Sequence, residues 1–455
     1  MGKKWKFYGK IEEISGGSER NKAVIRGMAM IVIKGGYVLD PASGTEGVRD
    51  IVIEGSRIRK ICEVGSLSNE ELAGDVTIID AQGKKVSPGL VDPHVHFRDP
   101  GFTYKEDIDS GAKAAARGGF TSVVMMGNTN PHMDNADTIK DVLARGKKTG
   151  INVYTCANVT MGMEGKELVP MEKLIEAGAV LFTDDGKPIT DEKLMEEACK
   201  RAAGLGKIIS LHEEDPKFIT DNGINAGEVA EELGLKGSPR DAEISMVQRD
   251  IETARRTGAG ITVQHISTAE AVDMIRKAKS EGVKVYAEAT PHHFTLTQSA
   301  VLKYGSLAKM NPPLRLESDR LAIIEGLRDG TIEMIATDHA PHAAYEKDKP
   351  LREAPSGITG LETALALGIR ELVKPGYISL MTLIERMSTA AAKIYGLCCG
   401  ALKEGGPADL CIFSPDDEWE FDSSFSKSGN TPFLGERLPG KVYVTICNGE
   451  IVYKA

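Results

Sequence analysis

Between residues 30 and 86 the apolar positions come in short bursts, at 31–34, 38–39, 50–54, 57–62 and 77–80, separated by glycine-rich and polar turns. That pattern predicts a small β unit. After Ser87 the rhythm changes to apolar run, loop, amphipathic stretch, repeated. Eight apolar runs follow, at 89–95, 121–126, 152–157, 179–183, 207–211, 260–264, 283–287 and 332–336. Helical periodicity fills most of the gaps, for example at 108–117, 191–203, 244–256, 269–281 and 319–327, and two further helices near 360–373 and 380–395 close the series. Eight strand–helix units predict an α/β fold, a (β/α)8 TIM-type barrel spanning 87–399. After Gly400 the sequence returns to strands at 408–413, 441–448 and 450–453, the last two around an Asn448-Gly449 turn. The flanking segments, 28–86 and 400–455, are expected to pair into one small β-sandwich.

Composition narrows the picture. The 455 residues suffice for a barrel plus an accessory domain. A net charge of −10 argues against nucleic acid or an anionic membrane surface as main partner, and no apolar run approaches a membrane span. Residues 1–27 carry seven Lys/Arg against three Asp/Glu, lack the apolar core of a signal peptide, and read as a disordered extension. The seven cysteines are irregularly spaced and form no C-x-x-C pair, as expected of reduced, mostly core thiols in a cytoplasmic protein.

The candidate chemistry gathers where the apolar runs end, the face on which barrels of this kind carry their active residues. Residues 87–100 read S-P-G-L-V-D-P-H-V-H-F-R-D-P. His94 and His96 are spaced i, i+2, so on a strand both imidazoles point to one face and reach one metal ion. Arg98 adds a planar, permanently charged fork suited to a carboxylate. The fourth run enters T-D-D-G (183–186), the fifth ends in L-H-E-E-D with His212, and the sixth in Q-H-I-S-T with His265. The eighth ends in A-T-D-H-A-P-H, with Asp338, His339 and His342. Nitrogen and oxygen ligands at five strand ends predict a metal site, best suited to zinc, with cobalt, manganese or iron as alternatives. Chemistry alone does not separate Asp184 from Asp185. The doublet His292-His293 lies outside this pattern and reads as supporting structure.

With D-P-H-V-H-F-R-D-P-G, G-N-T-N-P (127–131), T-D-D-G, K-M-N-P-P-L-R (309–315) and A-T-D-H-A-P-H, the chain from 30 to 453 resembles the bacterial class I dihydroorotases of the amidohydrolase superfamily. The resemblance implies two Zn2+ per chain, one held by His94 and His96 and a second, weaker one by His212 and His265. It implies that Asp185 bridges them and that Asp338 ligates the first and serves as base. Arg98, Asn128 and His342 would bind the substrate carboxylate, Asn311 the ring, and His96 and Phe97 would join the substrate contacts. Backbone groups of Pro355-Ser356-Gly357 would meet the pyrimidine. The implied activity is the reversible cyclisation of N-carbamoyl-L-aspartate to (S)-dihydroorotate, the third step of pyrimidine synthesis.

This sequence departs from the wider pattern twice. T-D-D-G stands where many superfamily members carry a carboxylated lysine, and Ser356 precedes Gly357 where bacterial relatives carry Phe. The resemblance also leaves open a homo-oligomer or an association with aspartate transcarbamoylase. Two other readings compete: a sister cyclic amidohydrolase such as an allantoinase or hydantoinase, and a non-catalytic homologue acting as a scaffold. Arg98 counts against the first, because it suits a carboxylate beside the ring. The complete ligand set counts against the second.

Overall fold

The computed structural model of the chain describes residues 30–68 and 75–455; the extension expected over 1–27 lies outside the described residues. The N-terminal bursts form β1 (Met30–Asp40), β2 (Thr45–Glu54), β3 (Arg57–Cys62), β4 (Val76–Asp80) and β5 (Lys85–Pro88). Beyond them the chain alternates strand and helix. β6 (Leu90–Val95), β7 (Phe120–Met125) and β8 (Asn152–Thr155) pair in parallel, in that order. β9 (Ile208–Leu211), β10 (Gly260–Val263), β11 (Val285–Ala289) and β12 (Met334–Ile335) do the same. Residues 180–183 join the two groups, Phe182 bridging to Ala157 on one side and Ile209 on the other. A parallel bridge from His339 to Val95 returns the path to β6.

The interior of this ring is apolar at one end. Val91, Val124, Cys156, Leu181 and Met334 converge there on Ala391, Ala392 and Tyr395, from the helix Ala390–Tyr395. Tyr395 satisfies its buried hydroxyl by donating to Thr262 Oγ1 at 3.1 Å. That helix stops one end of the ring, and the polar strand ends face the other. Outside, the helices bury one stripe each. Ile108–Arg117 starts at an Asp107 cap, which accepts from Ser110 N at 2.8 Å, and it buries Ile108, Ala112, Ala115 and Ala116.

The C-terminal strands are β13 (Leu410–Ser414), β14 (Trp419–Glu420), β15 (Arg437–Leu438), β16 (Lys441–Cys447) and β17 (Glu450–Lys454). Strands from residues 30–88 and 410–454 enter one eight-stranded sheet, ordered β17-β16-β13-β5-β1-β2-β3 with β4 beside β1. The β5–β13 pairing joins them, and the sheet has its own core of Ile33, Ile51, Ile53, Val86, Ile412 and Ile446. All seven cysteines are free, and Cys156, Cys199, Cys411 and Cys447 are buried. No helix among the described residues is long and apolar enough to cross a membrane.

One expectation is corrected by the alternation at the end of β6. The Phe97 side chain turns away from the face that carries His96 and is 1% exposed. It meets His339 edge-on, with ring centroids 6.4 Å apart, and lies where a Cβ on Gly111 would come within 2.4 Å of its ring. Phe97 therefore packs the first helix against the loop bearing Arg98 and contributes no side chain to the cavity. Phe97→Ala should cost about 3 to 5 kcal/mol of stability, read as a lowered midpoint of urea unfolding. An unchanged midpoint would contradict this packing role.

Candidate active site

β6 delivers its two histidines to one face, as their spacing requires. His94 Nδ1 donates to Glu288 Oε1 at 2.7 Å, which leaves Nε2 pointing inward, 3.6 Å from both Asp185 Oδ1 and Asp338 Oδ1. That nitrogen is buried and has no hydrogen-bond partner among the described residues. His96 donates from Nδ1 to Asn128 Oδ1 at 3.0 Å and turns Nε2 to Asp338 Oδ1 at 2.9 Å and Asp185 Oδ2 at 3.4 Å. From the far side, His212 Nδ1 and His265 Nε2 stand 3.1 Å apart, at 3.8 and 3.7 Å from Asp185 Oδ1. His212 Nε2 lies 3.2 Å from Glu214 Oε2.

Two ligand triads result, His94–His96–Asp185 and Asp185–His212–His265, all buried, with ligand atoms within 4.8 Å of one another in each. Asp185 belongs to both. The two aspartates of T-D-D-G are separated by what they touch. Asp184 is turned back to accept from Val159 N at 2.9 Å and Thr160 N at 3.1 Å, and burial raises its pKa to about 6. Burial would raise Asp185 too, but the charges of His94 and His96, with the His94 and His265 imidazoles 3.6 and 3.7 Å away, hold it well below the usual carboxylate range. The same balance is reversed at His94, where burial is outweighed by Asp185 and Glu288 and the imidazole pKa rises well above its ordinary value. The donor set and the orphaned His94 Nε2 fit a divalent metal ion.

Asp338 follows β12. Burial would raise its pKa, but His96, His94 and His265 hold it low, so it is ionised at neutral pH. Arg98, His265 and Asp338 have φ of 57°, 29° and 47°, a left-handed backbone that non-glycine residues rarely adopt and that clusters at functional sites. Next to the triads a cavity of about 280 Å³ is lined by Arg98, Asn128, Asn311, His342, Ser356 and Gly357 together with the inner ligands.

Arg98 is half-buried on one wall of that cavity. Its Nε donates to the Pro341 carbonyl at 3.2 Å and its Nη2 stands 3.5 Å from His342 Nε2. No carboxylate among the described residues lies within 4 Å of it. The two obvious acids are engaged elsewhere, Asp99 with Arg145 at 2.7 Å and Glu106 with His339 at 3.3 Å. His342 donates from Nε2 to the Ser356 carbonyl at 2.9 Å, and burial, followed by the charges of Arg98, Lys105 and Lys347, lowers its pKa to about 2. Asn311 sits across the cavity, its Nδ2 3.5 Å from His212 and its Oδ1 buried without a partner among the described residues. His293 supports this loop by donating to Pro312 O at 3.1 Å. Asn128 has both ends of its amide committed, since Nδ2 donates to Asp185 Oδ2 at 3.2 Å. It orients two ligands from the cavity wall.

Sequence reasoning did not find the acids behind the histidines. Glu288 and Glu214 fix the outer nitrogens of His94 and His212, the usual way a ligand's ring orientation is set. Asp92 accepts from His94 N at 3.0 Å and from Thr337 Oγ1 at 2.6 Å, tying β6 to the β12 end that carries Asp338. A charged residue within the apolar stretch V-Y-A-E-A (285–289) is a signal that was available for Glu288. His339 is structural: its Nε2 faces Glu106, and its Nδ1 accepts from Gly360 N at 3.1 Å.

The pattern defining the family Dihydro-orotase-like matches residues 83–271. A dihydroorotase of Clostridioides difficile is 55% identical over 94% of this chain and 100% of its own length. One of Clostridium acetobutylicum is 47% identical over 93% of this chain and 100% of its own. Among solved structures, the L-hydantoinase (dihydropyrimidinase) from Arthrobacter aurescens superposes with a TM-score of 0.84 at 25% identity, over 93% of this chain and 96% of that one. The fold is thus shared with hydantoinases, while sequence identity of this extent is found with dihydroorotases. The chain belongs to the dihydroorotase family.

Proposed function

We propose that this cavity opens the ring of dihydroorotate and, in reverse, closes N-carbamoyl-L-aspartate. The chain is a dihydroorotase, a hydrolase of cyclic amides in pyrimidine synthesis. The observation that carries the reading down to the site is Arg98, a half-buried guanidinium with no carboxylate within 4 Å among the described residues, beside a set of metal ligands. Dihydroorotate is a ring amide bearing a carboxylate. Its carboxylate pairs with Arg98, and the ring lies across the cavity toward Asn311, whose free Oδ1 accepts a ring N–H. His342 holds the 355–357 loop through the Ser356 carbonyl, so that backbone groups of Ser356 and Gly357 line the ring edge. Replacing the usual Phe by Ser at 356 leaves that backbone contact in place.

His94, His96, Asp185, His212 and His265, with Asp338 beside them, would hold two zinc ions. Such ions supply Lewis acidity, polarising the ring carbonyl and lowering the pKa of the attacking water. The chain's own contribution is positional and acid–base. Arg98 and Asn311 fix the ring so that the scissile carbonyl faces Asp338 and Asp185. Asp338, ionised and directed inward, takes a proton from the attacking water as its oxygen bonds to the ring carbonyl carbon. When the C–N bond breaks, Asp338 returns that proton to the leaving ring nitrogen. Ring closure uses the same residues in reverse.

The finer account of the fold belongs to the same reading: a (β/α)8 barrel over 87–399, with segments 28–86 and 400–455 forming the accessory β-sandwich. Assembly, with further copies or with aspartate transcarbamoylase, is supported by the family resemblance alone.

Asp338→Asn keeps the shape but cannot carry a proton. It should lower kcat by about 10² to 10⁴ with metal content, read by elemental analysis, unchanged. A fall in kcat that merely tracks lost metal would make Asp338 a ligand only. Arg98→Met should cost about 2 to 5 kcal/mol in kcat/KM for dihydroorotate, again with metal retained. If turnover of dihydroorotate stays within twofold, the carboxylate is bound elsewhere and an uncharged ring, as in the hydantoinases, becomes the better substrate.

A further inference from the structure

The carboxylate wall is assembled from three loops: the one after β6 with Arg98 and Lys105, and, more than 230 residues later, the one after β12 with Ala340 and His342 and the nearby residues 355–359. One stretch of the C-terminal segment, residues 423–431 between β14 and β15, touches all three. Ser428 Oγ donates to the Lys105 carbonyl at 2.7 Å. Ser426 Oγ and Lys427 N both donate to Glu106, the latter at 3.2 Å. Asn430 then spans the other two loops. Its Oδ1 accepts from His342 N at 3.0 Å, and its Nδ2 donates to the Ala340 carbonyl at 3.0 Å and the Gly357 carbonyl at 3.1 Å. Its own carbonyl accepts from Thr359 N at 3.0 Å.

Asn430 is 4% exposed, and every polar atom of its side chain is used. Only a neutral amide meets this demand, because one end must accept and the other must donate twice. The two loops it joins are in close contact: a Cβ on Gly357, where φ is +109°, would come within 2.6 Å of Ala340 Cβ, and Ala340 N donates to the Ile358 carbonyl at 2.8 Å, so Asn430 adds to links they already share. The first part of the segment is anchored to the ring, with Ser424 Oγ and Phe425 N donating to Glu362. It is therefore a fixed strap lying behind the wall, one hydrogen bond removed from the cavity.

We propose that Asn430 is a positioning residue for substrate affinity, setting the spacing between His342 and the Ser356–Gly357 backbone on which the Arg98 pocket closes. The inference rests on the carboxylate-pocket reading above. It assigns the C-terminal segment a part in substrate recognition in addition to its pairing with β5. Because Asn430 touches neither metal ligands nor Asp338, its loss should be felt in binding and spare the chemical step.

The test is steady-state kinetics of the metal-loaded full chain with Asn430→Asp, which is isosteric but turns an oxygen onto two carbonyls. KM for dihydroorotate should rise about ten- to one-hundredfold, with kcat within threefold and metal content unchanged. The double variant Arg98→Met/Asn430→Asp should be no worse than Arg98→Met alone, since both act on one contact. Unchanged KM, a fall in kcat with KM intact, or additive losses in the double variant would each overturn the proposal. If Asn430→Asp does not accumulate folded, Asn430→Ala removes both donated bonds and the one accepted from His342 N, without the added charge, and is read the same way. Arg98→Met alone separates the two ideas. If it leaves kcat/KM within twofold of the unsubstituted protein, the carboxylate pocket itself is wrong; if it lowers kcat/KM and Asn430→Asp leaves KM unchanged, only this inference fails.

Discussion

Charges taken out of water have to be paired, and this site pairs two kinds only in part. On one side, Asp185 and Asp338 sit among four histidines whose inner nitrogens converge on them, with His94 Nε2 left without a hydrogen-bond partner among the described residues. On the other, Arg98 is half-buried with no carboxylate within 4 Å among the described residues. The protein answers the first with imidazoles alone and the second only at longer range, through Asp338, Asp185 and Glu346. A cation answers the first and an anion the second. The distance between them is spanned by a ring that carries a carboxylate at one edge and a scissile amide at the other.

The rest of the ring can be understood as holding those charges apart. Glu288 on β11 and Glu214 after β9 point His94 and His212 inward. Asp92 ties the first strand to the last, so that His94 and Asp338 keep their separation. The helix Ala390–Tyr395 and the apolar residues above it stop the opposite end, so the polar end is the open one. Left-handed backbone at Arg98, His265 and Asp338 indicates that local strain is tolerated where it aims a functional side chain.

Much of this was legible from local sequence, because spacing on a strand decides facing. His94 and His96 at i, i+2 had to share a face, and His212, His265 and Asp338 each followed an apolar run. What was not legible depended on contacts between distant segments. Asp184 and Asp185 are chemically alike, and only the loop at Val159–Thr160 claims one of them. Asn128 belongs to the loop expected to bind substrate, but its amide is divided between His96 and Asp185. Phe97 follows His96 in the motif, and alternation turns it into the core. Asn430 lies in a polar, serine-rich stretch with no periodicity, and its neighbours are about 70 to 90 residues away in the chain.

The shared fold with hydantoinases makes the carboxylate the feature that defines this chain's chemistry, since the ring and its amide are common to both substrate types. The most direct measurement is kcat/KM of the metal-loaded wild-type protein for dihydroorotate against 5,6-dihydrouracil, the same ring without the carboxylate. A half-buried Arg98 with no carboxylate within 4 Å among the described residues predicts a preference for dihydroorotate of at least about thirtyfold. Equal turnover of the two rings would contradict the account, because the guanidinium would then play no part in recognition.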